Sequence, residues 1–473
     1  MTDKLYFEEL SMERVLDICE FEDVDGVVVS VGGQTPNNLA PPLASHGIRI
    51  LGTDAENVDR AEDRSKFSRL LDRLGIEQPE WSRATSLRAA KVFADQVGYP
   101  VLIRPSYVLS GAAMRVAYSV RDLENYIRLA TRVSPEHPVV ISKYIYNAKE
   151  VEVDGVSDGE DVVIVSVIEH IELAGTHSGD ATMVIPPQTL RKSVIAKIDD
   201  YTRRIALSLK IRGPFNIQYL CVKDSVYVIE CNLRASRSAP FSSKATGYPL
   251  IRIGAKVMNG AKLRELGGLK GPEILHVAVK APVFSFIRLR GADPVLGVEM
   301  NSTGEVACLD YEFSSAFVKA LLASGVGLPN PPAAVLLSVA DEFKGDAIDL
   351  AAGLSALGYK VYATPGTSSF LADRGIEDTS PLPKISQGSD EILRRLSERT
   401  IKMVINAPSN YNLSSINDGS IIRRTAVEFT IPVLTRLRTA YALLEALSKR
   451  RDWQLRPRSL NEFLLNGGRD TSV

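Results

Sequence analysis

A polar motif follows a strand-forming run in the stretch 228–237, which reads VIECNLRASR. Because a β-strand places residues i, i+2 and i+4 on one face, Glu230, Asn232 and Arg234 are expected to project together. Arg237 follows shortly after them. A carboxylate and an amide oxygen suit a hard cation such as Mg²⁺, and guanidinium groups suit phosphate. The motif therefore predicts a site for a magnesium-bound polyphosphate.

A second polar pair precedes this motif in GPFNIQYL, where Asn216 and Gln218 alternate with apolar residues. If 214–222 and 225–231 pair as a hairpin, Gln218 and Glu230 would face each other. Carboxylate and amide oxygens, water and substrate phosphates would then make an ordinary magnesium shell. The alternative is a surface hairpin with exposed polar residues, which the apolar flanks in VYVIEC disfavour because unpaired buried charge is costly.

Two further segments contain residues suited to phosphate. In YPVLIRPSYVLSGAAM a strand is expected to end at Arg104, and small residues at 110–113 would let backbone N–H groups approach a phosphate. In EHIELAGTHSGDA, His177 is a candidate for a phosphate or nucleotide contact, whereas His170 is expected to be structural. The alternatives are a plain turn in the first segment and a structural histidine in the second.

The sequence contains no motif of a P-loop nucleotide site or of covalent catalysis. It contains no GxxxxGK[ST] motif, no G-x-S-x-G motif and no Cys–His pair that would suggest a covalent nucleophile. Acidic, amide and arginine groups without a nucleophile are typical of phosphoryl transfer, in which the protein positions its substrates and neutralises charge.

The composition is that of an ordinary globular protein. The 473 residues are 45% apolar, and 56 basic against 57 acidic side chains give a net charge of -1. That balance favours neither nucleic acid nor an anionic membrane as a partner. The four separated cysteines are expected to be free thiols, and no apolar run reaches the roughly 20 residues of a membrane span. We expect a soluble cytoplasmic protein, or a mitochondrial one if a targeting segment precedes this sequence.

The elements that would position these groups are expected in three regions. Before about residue 75, GVVVSV and IRILGT predict two short strands, followed by a helix from about Asn57. The middle region has helical patterns at 121–133 and 190–210 between six strand patterns, which indicates a mixed α+β domain. The six are YPVLIRP, PVVISKYI, VEVDGV, DVVIVSVIEH, FNIQYLCV and VYVIEC.

The third region follows a Pro-rich linker at 326–334. There AVLLSV, YKVYAT, IKMVINA and IPVLT alternate with helical segments, which predicts a small doubly wound domain with a parallel sheet. The tail after about residue 450 is polar and is expected to fray.

Together these motifs resemble a known family. YPVLIRPSYVLSGAA and VIECNLRA resemble the two signature motifs of the carbamoyl phosphate synthetase large subunit. RAEDRSKF, EHIELAGTHSGDA, RGPFNIQYL and ADPVLGVEMNSTGEVA match further family blocks in the same order. The resemblance is to the C-terminal half of that subunit and covers nearly the whole chain. Segments such as SYVLSGAAM look most similar to those of eukaryotic family members, from the arginine pathway or the urea cycle.

The resemblance implies α/β and α+β folds in four parts. These are a partial pre-ATP-grasp domain at 1–75, an ATP-grasp domain with a connecting region at 76–330, a doubly wound methylglyoxal-synthase-like regulatory domain at 331–450, and a polar tail at 451–473. It implies ATP-dependent phosphorylation of carbamate to carbamoyl phosphate, feeding arginine, urea or pyrimidine synthesis. The implied cations are Mg²⁺ or Mn²⁺ with K⁺, and the implied partners are the first synthetase half, a glutaminase subunit or domain, and a small-molecule effector.

The resemblance also implies roles for individual residues. The metal ligands would be Gln218, Glu230 and Asn232. The transferring phosphate or the carbamate would be held by Arg234 and Arg237. The ATP contacts would be Arg64, Arg104, Gly111, Glu150 (toward the ribose), His177 and Asn216. Effector-pocket positions are matched by Thr364, Thr367 and Asn406.

The sequence departs from the family pattern in two places. In the family, this half opens with an N-R-I-G-Q-G-type turn between two strands, whereas the present sequence begins at MTDKLYFEEL. The first sheet is therefore expected to lack a β-α-β element and to leave strand edges unpaired. The tryptophan and later asparagines that bind N-acetylglutamate are not evident, and a packing domain without ligand is the alternative for the C-terminal region. Two functions stay open: a carbamate-phosphorylating enzyme, and a non-catalytic homologue that binds ATP or partner subunits. The effector-type domain argues against a third function, that of another ATP-grasp carboxylate ligase.

Overall fold

The computed structural model describes residues 3–105, 114–133, 139–267, 269–289, 291–409, 417–449 and 457–465. The chain divides into two compact units, one formed by 1–169 with 185–274 and the other by 170–184 with 275–473. Among the described residues, every helix is too short or too polar to pass through a bilayer.

The helices are α1 (Met12–Glu22), α2 (Gln34–Asn38), α3 (Ala40–Ser45), α4 (Ala55–Glu62), α5 (Arg64–Leu74), α6 (Leu87–Val97), α7 (Val120–Val133), α8 (Lys192–Ser208), α9 (Ala239–Thr246), α10 (Leu250–Met258), α11 (Phe313–Ala323), α12 (Ala347–Ala356), α13 (Pro365–Ala372), α14 (Glu391–Ser397), α15 (Asp418–Glu428), α16 (Leu437–Ser448) and α17 (Leu460–Leu465). The strands are β1 (Trp81–Ala84), β2 (Val101–Pro105), β3 (Arg115–Ala117), β4 (Val139–Lys143), β5 (Lys149–Asp158), β6 (Val162–Leu173), β7 (Met183–Ile185), β8 (Arg212–Val222), β9 (Ser225–Asn232), β10 (Val277–Phe284), β11 (Ser302–Asp310), β12 (Ala334–Val339), β13 (Lys360–Ala363), β14 (Thr379–Pro381), β15 (Ile401–Ala407) and β16 (Val433–Leu434).

The prediction of two strands near the start of the chain is wrong. GVVVSV and IRILGT meet in a single parallel bridge, in which Val27 N donates to Arg49 O and Leu51 N donates to Val27 O, both at 2.9 Å. A strand needs such pairs on successive residues, whereas Val28 and Val31 are 39% and 43% exposed. β-branched residues favour a strand only where a neighbour pairs with them, so propensity alone overestimated this region.

The helix predicted from about Asn57 is two helices, α4 and α5. Asp63 lies between them with extended backbone (φ -71°, ψ 110°), and its Oδ1 accepts a hydrogen bond from Lys66 N at 2.8 Å. An aspartate in this geometry is an N-cap, which ends one helix and begins the next. Arg64 is consequently the first residue of α5.

Two sets of strands form the rest of the first unit. The antiparallel sheet β1-β4-β2-β3 packs with α6 and α7 around a core that includes Ile103, Leu123 and Ile141. The strands β6-β5-β8-β9 lie side by side, with β5–β8 and β8–β9 antiparallel. One side of these strands packs its apolar residues against α8, in a core that includes Ile217 and Tyr219. The six predicted strands are present as β2, β4, β5, β6, β8 and β9, and the two predicted helices as α7 and α8.

The hairpin β8–β9 contains a bulge that decides which side chains share a face. Gln218 pairs with Glu230, but Tyr219 pairs with Val228, so Ile229 is an extra residue on β9. The bulge keeps Val228 on the apolar side with Tyr219 and turns Glu230 to the other side with Gln218. In a regular strand, residues 228 and 230 would have faced the same way.

The second unit contains the predicted parallel sheet. Its strand order is β14-β13-β12-β15-β16, and every pair is parallel. The four predicted strands are β12, β13, β15 and β16, and β14 is a fifth. Val335, Leu337 and Ile405 are fully or almost fully buried beneath helices that include α12 and α16. Strands β7, β10 and β11 also belong largely to this unit, with β10 and β11 antiparallel. The doubly wound prediction is confirmed.

The C-terminal tail is more ordered than predicted in the part that the structure describes. Leu460–Leu465 forms α17, and Phe463 is 4% exposed. Its ring centroid lies 5.5 Å from that of His276 and 5.2 Å from that of Tyr311. The prediction of fraying is wrong for this helix because a buried aromatic ring holds it.

A test of the packing under β5 uses a glycine. A Cβ at Gly155 would lie 2.5 Å from Phe215 Cζ and 3.0 Å from the backbone oxygen of Val163. We expect Gly155→Ala to destabilise the protein by about 1 to 3 kcal/mol in urea unfolding, because the core must shift to admit it. Gly304→Ala is the matched strand control, since its Cβ would lie 3.8 Å from Val283 Cβ. Equal unfolding midpoints for both variants would contradict this packing.

Candidate active site

Two rows of polar residues cross strands β5, β8 and β9 on the side opposite the apolar core. One row is Asp154, Asn216 and Asn232, and the next is Glu152, Gln218 and Glu230. Asn216 Nδ2 donates to Asp154 Oδ1 at 2.9 Å and to Glu152 Oε2 at 3.2 Å. Asn232 Nδ2 donates to Glu230 Oε1 at 3.2 Å. The predicted hairpin is confirmed, as is the meeting of Gln218 with Glu230 across it.

Two arginines surround Glu230. Arg64, at the start of α5, donates to Glu230 Oε2 at 2.5 Å and to the oxygen of the bulge residue Ile229 at 3.0 Å. Burial by itself would raise the pKa of Glu230, but the charges of Arg64 and Arg104 and the hydrogen bonds from Arg64 and Asn232 lower it to about 2. Glu230 is therefore ionised at neutral pH.

Arg104 is the second of these cations and lies near the end of β2. Burial, followed by the positive charge of Arg64, lowers the pKa of Arg104 to about 10, which leaves it protonated at neutral pH. Its Nε is buried and has no hydrogen-bond partner among the described residues. A buried donor without a partner calls for an explanation, and an incoming anion would supply the acceptor.

Arg234 lies just past the end of β9 and is held by neighbours on both sides. Its Nη2 donates to Asn232 Oδ1 at 3.2 Å, and its Nε donates to Gln34 Oε1 at 3.2 Å. Gln34 in turn donates to Glu62, whose pKa is raised mainly by burial. Arg237 is exposed and makes no hydrogen bond or ion pair with the described chain. The structure thus fixes one of the two predicted arginines and leaves the other available to a ligand.

The remaining predicted nucleotide residues are placed as follows. Glu150 is buried on β5, on the same face as Glu152. His177 belongs to the second unit, where its backbone N–H donates to Gly297 O at 2.7 Å. Gly111 lies outside the described residues.

Sequence reasoning missed several residues of this face. Glu152 and Asp154 are 2% and 0% exposed, yet VEVDGV was used only as a strand pattern. The signal was present, since acidic side chains alternate with valine and so must share one face of a strand. Glu62 and Gln34 were also missed, because their contacts join segments that no local pattern connects.

Two of the three predicted effector positions, Thr364 and Asn406, lie at the carboxyl ends of parallel strands in the second unit, and Thr367 lies in the first turn of α13. Thr364 follows β13, and its Oγ1 lies 3.2 Å from Thr367 Oγ1. Asn406 is next to Ser338 across β12 and β15. Asn406 Oδ1 accepts a hydrogen bond from buried Arg423. In open α/β sheets this edge is where ligands bind.

The polar face in the first unit fits a magnesium-bound polyphosphate. Ionised Glu230 and the amide oxygens of Gln218 and Asn232 are the hard ligands that Mg²⁺ prefers. Arg64 and Arg104 place two guanidinium groups beside Glu230, and guanidinium groups bind phosphate. The unpartnered Nε of Arg104 is the most specific sign, because nothing in the described chain satisfies it.

Two solved structures that share this fold are nucleotide complexes. A biotin carboxylase complex with β,γ-ATP from Campylobacter jejuni aligns with a TM-score of 0.54 and 18% identity, covering 66% of this chain and 77% of that one. The biotin carboxylase domain of the Hydrogenobacter thermophilus 2-oxoglutarate carboxylase, in complex with MgADP, ADP and bicarbonate, aligns with a TM-score of 0.55 and 15% identity, covering 66% and 76%. The fold is therefore that of the ATP-grasp proteins.

Family models and curated relatives show which ATP-grasp proteins this chain is similar to. Residues 63–266 match the carbamoyl-phosphate synthase L chain ATP binding domain, 346–435 match the MGS-like domain, and 1–60 match the carbamoyl phosphate synthase preATP-grasp domain. The chain is 47% identical to the carbamoyl phosphate synthase large chain of Methanothermobacter thermautotrophicus over 98% of its length and 44% of that protein. It is 46% identical to the mitochondrial carbamoyl-phosphate synthase [ammonia] of Aquarana catesbeiana, over 98% and 31%.

The chain belongs to the carbamoyl phosphate synthase large-chain family. It spans less than half the length of these relatives, and 25% of the multifunctional protein pyr-3 of Neurospora crassa, to which it is 46% identical. Three family models in succession agree with the pre-ATP-grasp, ATP-grasp and methylglyoxal-synthase-like order implied by the sequence motifs.

The low pKa of Glu230 predicts a pH-dependent stability. Its pKa in the folded protein is about 2, against about 4.3 in an unfolded chain. The pairing therefore adds stability that is fully present above about pH 5 and is lost as the pH falls through about 2. We expect the difference in unfolding free energy between wild type and Glu230→Gln to shrink by about 2 kcal/mol from pH 5 to pH 2.5.

Urea unfolding at each pH measures this difference. The matched control is Asp224→Asn, which changes an acid to its amide at the turn of the same hairpin. Asp224 pairs with Arg191 on the surface, where both side chains are more than half exposed, so its removal should cost less than about 0.5 kcal/mol. A difference between wild type and Glu230→Gln that stays constant with pH would contradict the assigned electrostatics.

Proposed function

We propose that this chain catalyses phosphorylation of carbamate by ATP, giving carbamoyl phosphate and ADP. The observation that carries the proposal is the polar face of the first unit, where Glu230 is ionised between Arg64 and Arg104 and adjoins the amides of Gln218 and Asn232. Such a face can neutralise the charge of the phosphates, which is what phosphoryl transfer requires of the protein. It provides no covalent nucleophile, and direct transfer to carbamate needs none. The similarity to carbamoyl phosphate synthase large chains supports the choice of carbamoyl phosphate as product.

Gln218, Glu230 and Asn232 would hold magnesium in this proposal. Magnesium, when bound, supplies positive charge that offsets the repulsion between phosphate oxygens and the attacking carbamate oxygen. The protein's own contribution is to keep Glu230 ionised and to hold its carboxylate in place through Arg64. A ligand fixed in this way loses little entropy when the metal binds.

Arg234 and Arg237 would hold the transferring phosphate or the carbamate. Arg234 is already oriented by Asn232 and Gln34, which leaves the exposed Arg237 to close on the substrate. Arginine stabilises the charge that develops on the phosphoryl oxygens in the transition state. The proposed ATP contacts are Arg64, Arg104, Gly111, Glu150, His177 and Asn216.

Several wider features belong to the same proposal. We propose the division into 1–75, 76–330, 331–450 and 451–473, which the ranges of the three family models support. The first synthetase half would supply carbamate, and a glutaminase would supply ammonia to that half. Mn²⁺ is a proposed substitute for Mg²⁺, and K⁺ a proposed further cation. The cytoplasm is the proposed compartment, with the mitochondrion as the alternative.

We also propose that Thr364, Thr367 and Asn406 line an effector pocket in the second unit. Their position at the carboxyl edge of a parallel sheet supports this. Arg423, which forms an ion pair with Asp293, donates to Asn406 at the same edge.

The reverse reaction tests the proposed activity directly. The purified chain is mixed with Mg²⁺, ADP and carbamoyl phosphate, and ATP is measured with a coupled luminescence assay. We expect ATP from the wild type and a loss of at least about 100-fold in turnover for Glu230→Gln, because the metal and phosphates lose a charged ligand. Asp224→Asn, in the same hairpin, should retain the wild-type rate.

The outcomes separate the two functions that the sequence leaves open. ATP formation that depends on Glu230 supports the enzyme. A folded wild type that binds ADP but makes no ATP would contradict catalysis and favour the non-catalytic homologue. ATP formed equally well by Glu230→Gln would show that another site is responsible.

The effector pocket is tested with inorganic phosphate as the probe. We expect millimolar phosphate to raise the thermal midpoint of the second unit's transition by a few degrees in the wild type, because a ligand that binds only the folded state stabilises it. The double variant Thr364→Val, Thr367→Val should lose that shift while keeping side-chain volume. A Ser369→Ala variant on α13 is the control. A shift of the same size in all three proteins would count against the pocket.

A further inference from the structure

The two buried acids on β5 have a specific set of partners. Asp154 is fully buried, and the groups that donate to it are all neutral: Asn216 Nδ2 at 2.9 Å, Ser236 Oγ at 2.7 Å and Ser242 Oγ at 2.5 Å. A carboxylate is expensive to bury, and neutral donors offset that cost less completely than a cation would. Burial and the neighbouring charge of Glu152 indeed raise the pKa of Asp154. An acid retained in such a place invites a functional explanation.

One consequence of the pair is the orientation of Asn216. Its two amide protons point to Asp154 and Glu152, at 2.9 and 3.2 Å. With both protons taken by carboxylates, the amide is held with Oδ1 on the side of Asn232, whose Nδ2 lies 3.5 Å away. Without these acceptors the amide could rotate and present a donor to Asn232, a proposed metal ligand, instead of an acceptor.

A second consequence is the anchoring of the turn 234–238, which joins β9 to α9. Ser236 Oγ donates to Asp154, Ser238 Oγ donates to Glu152 at 3.2 Å, and the two hydroxyls lie 2.9 Å apart. The turn carries Arg234 and Arg237. Both serines therefore tie the segment bearing the arginines to one point of the sheet.

We infer that Glu152 and Asp154 are positioning residues that set the arginine-bearing turn and the Asn216 amide for phosphoryl transfer. They act through other residues and need not touch substrate. The part of the inference that concerns phosphoryl transfer rests on the proposed function. The anchoring of the turn by the two acids can be measured without turnover. A purely structural role would instead require only that the acids stabilise the fold.

Hydrogen exchange in the ligand-free protein is the first readout. Ala235 N donates to Ser30 O at 2.9 Å and Ala239 N donates to Ser236 O at 3.3 Å, so both amides report on the turn. We expect Ser236→Ala and Asp154→Asn to raise exchange across 233–240 by about tenfold or more, as the turn opens locally. Ser236→Thr, which keeps the hydroxyl, should restore protection.

Ser242→Ala is the matched control. The hydroxyl of Ser242 donates to the other oxygen of Asp154 and accepts from Ser166, but it makes no hydrogen bond with the turn. The backbone N–H of Ser242, which donates to Ser238 O at 2.8 Å, is kept in this variant. It should leave exchange across 233–240 unchanged, although it removes a hydrogen bond from the same carboxylate. Thermal midpoints are recorded for every variant, and Ser236→Ala keeps the test open if Asp154→Asn does not fold.

Turnover in the reverse reaction and ADP binding by calorimetry are the second readout. We expect Ser236→Ala to lower kcat by about tenfold or more with ADP affinity within about threefold, because arginine placement matters most in the transition state. Unchanged exchange in Ser236→Ala would overturn the inference. So would faster exchange with an unchanged kcat, since the turn would then be anchored without positioning anything. If the wild type lacks activity, the proposed function fails, and the exchange data still decide whether the acids anchor the turn.

Discussion

The face switch at Ile229 is the constraint on which the site depends. One extra residue in β9 lets Val228 stay in the core beside Tyr219 while Glu230 turns to the opposite side beside Gln218. The oxygen of Ile229 also accepts a hydrogen bond from Arg64, so the bulge and the cation that pairs with Glu230 are held together. Bulges re-aim side chains in this way next to active sites. An apolar core and a charged face can then occupy two sides of one short hairpin.

The acids of this face have contrasting environments. Glu230 is paired with Arg64 and lies near Arg104, and its pKa falls to about 2. Asp154 is surrounded by neutral donors and by the charge of Glu152, and its pKa rises. The first arrangement suits a ligand that must remain ionised at neutral pH. The second suits an acceptor that orients hydroxyl and amide groups. Carboxylates on neighbouring strands can thus serve different tasks according to what surrounds them.

Local patterns explain how much of this arrangement could be predicted. The alternation in FNIQYL and the polar end of VYVIEC predicted a hairpin with Gln218 opposite Glu230, but that pairing also needs the bulge at Ile229, which period-two spacing does not reveal. The same reasoning overestimated GVVVSV, since a strand depends on a neighbour that pairs with it and Val27 finds only one such contact. The capping of α5 by Asp63 was also missed, although the cap is a short-range feature. It joins the Asp63 side chain to the backbone N–H of Lys66, three residues later.

Contacts between distant segments lay beyond sequence reasoning. Arg64 and Glu230 are far apart in the chain, and no spacing rule joins them before the fold is known. The acids of VEVDGV could have been recognised as one face, but their serine partners follow β9 and become neighbours only through the β5–β8–β9 register. The motifs that resemble the carbamoyl phosphate synthetase family supplied candidate site residues despite this, because motif matching does not require knowledge of the contacts.

The central claim is that Gln218, Glu230 and Asn232 form a metal site beside bound nucleotide. Electron paramagnetic resonance of Mn²⁺ tests it most directly, by following the loss of the free-ion signal as protein and ADP are added. The account predicts that the wild type binds Mn²⁺ more tightly with ADP than without it, and that Glu230→Gln weakens that binding by about tenfold or more. Equal Mn²⁺ affinity for the wild type and Glu230→Gln in the presence of ADP would contradict the account.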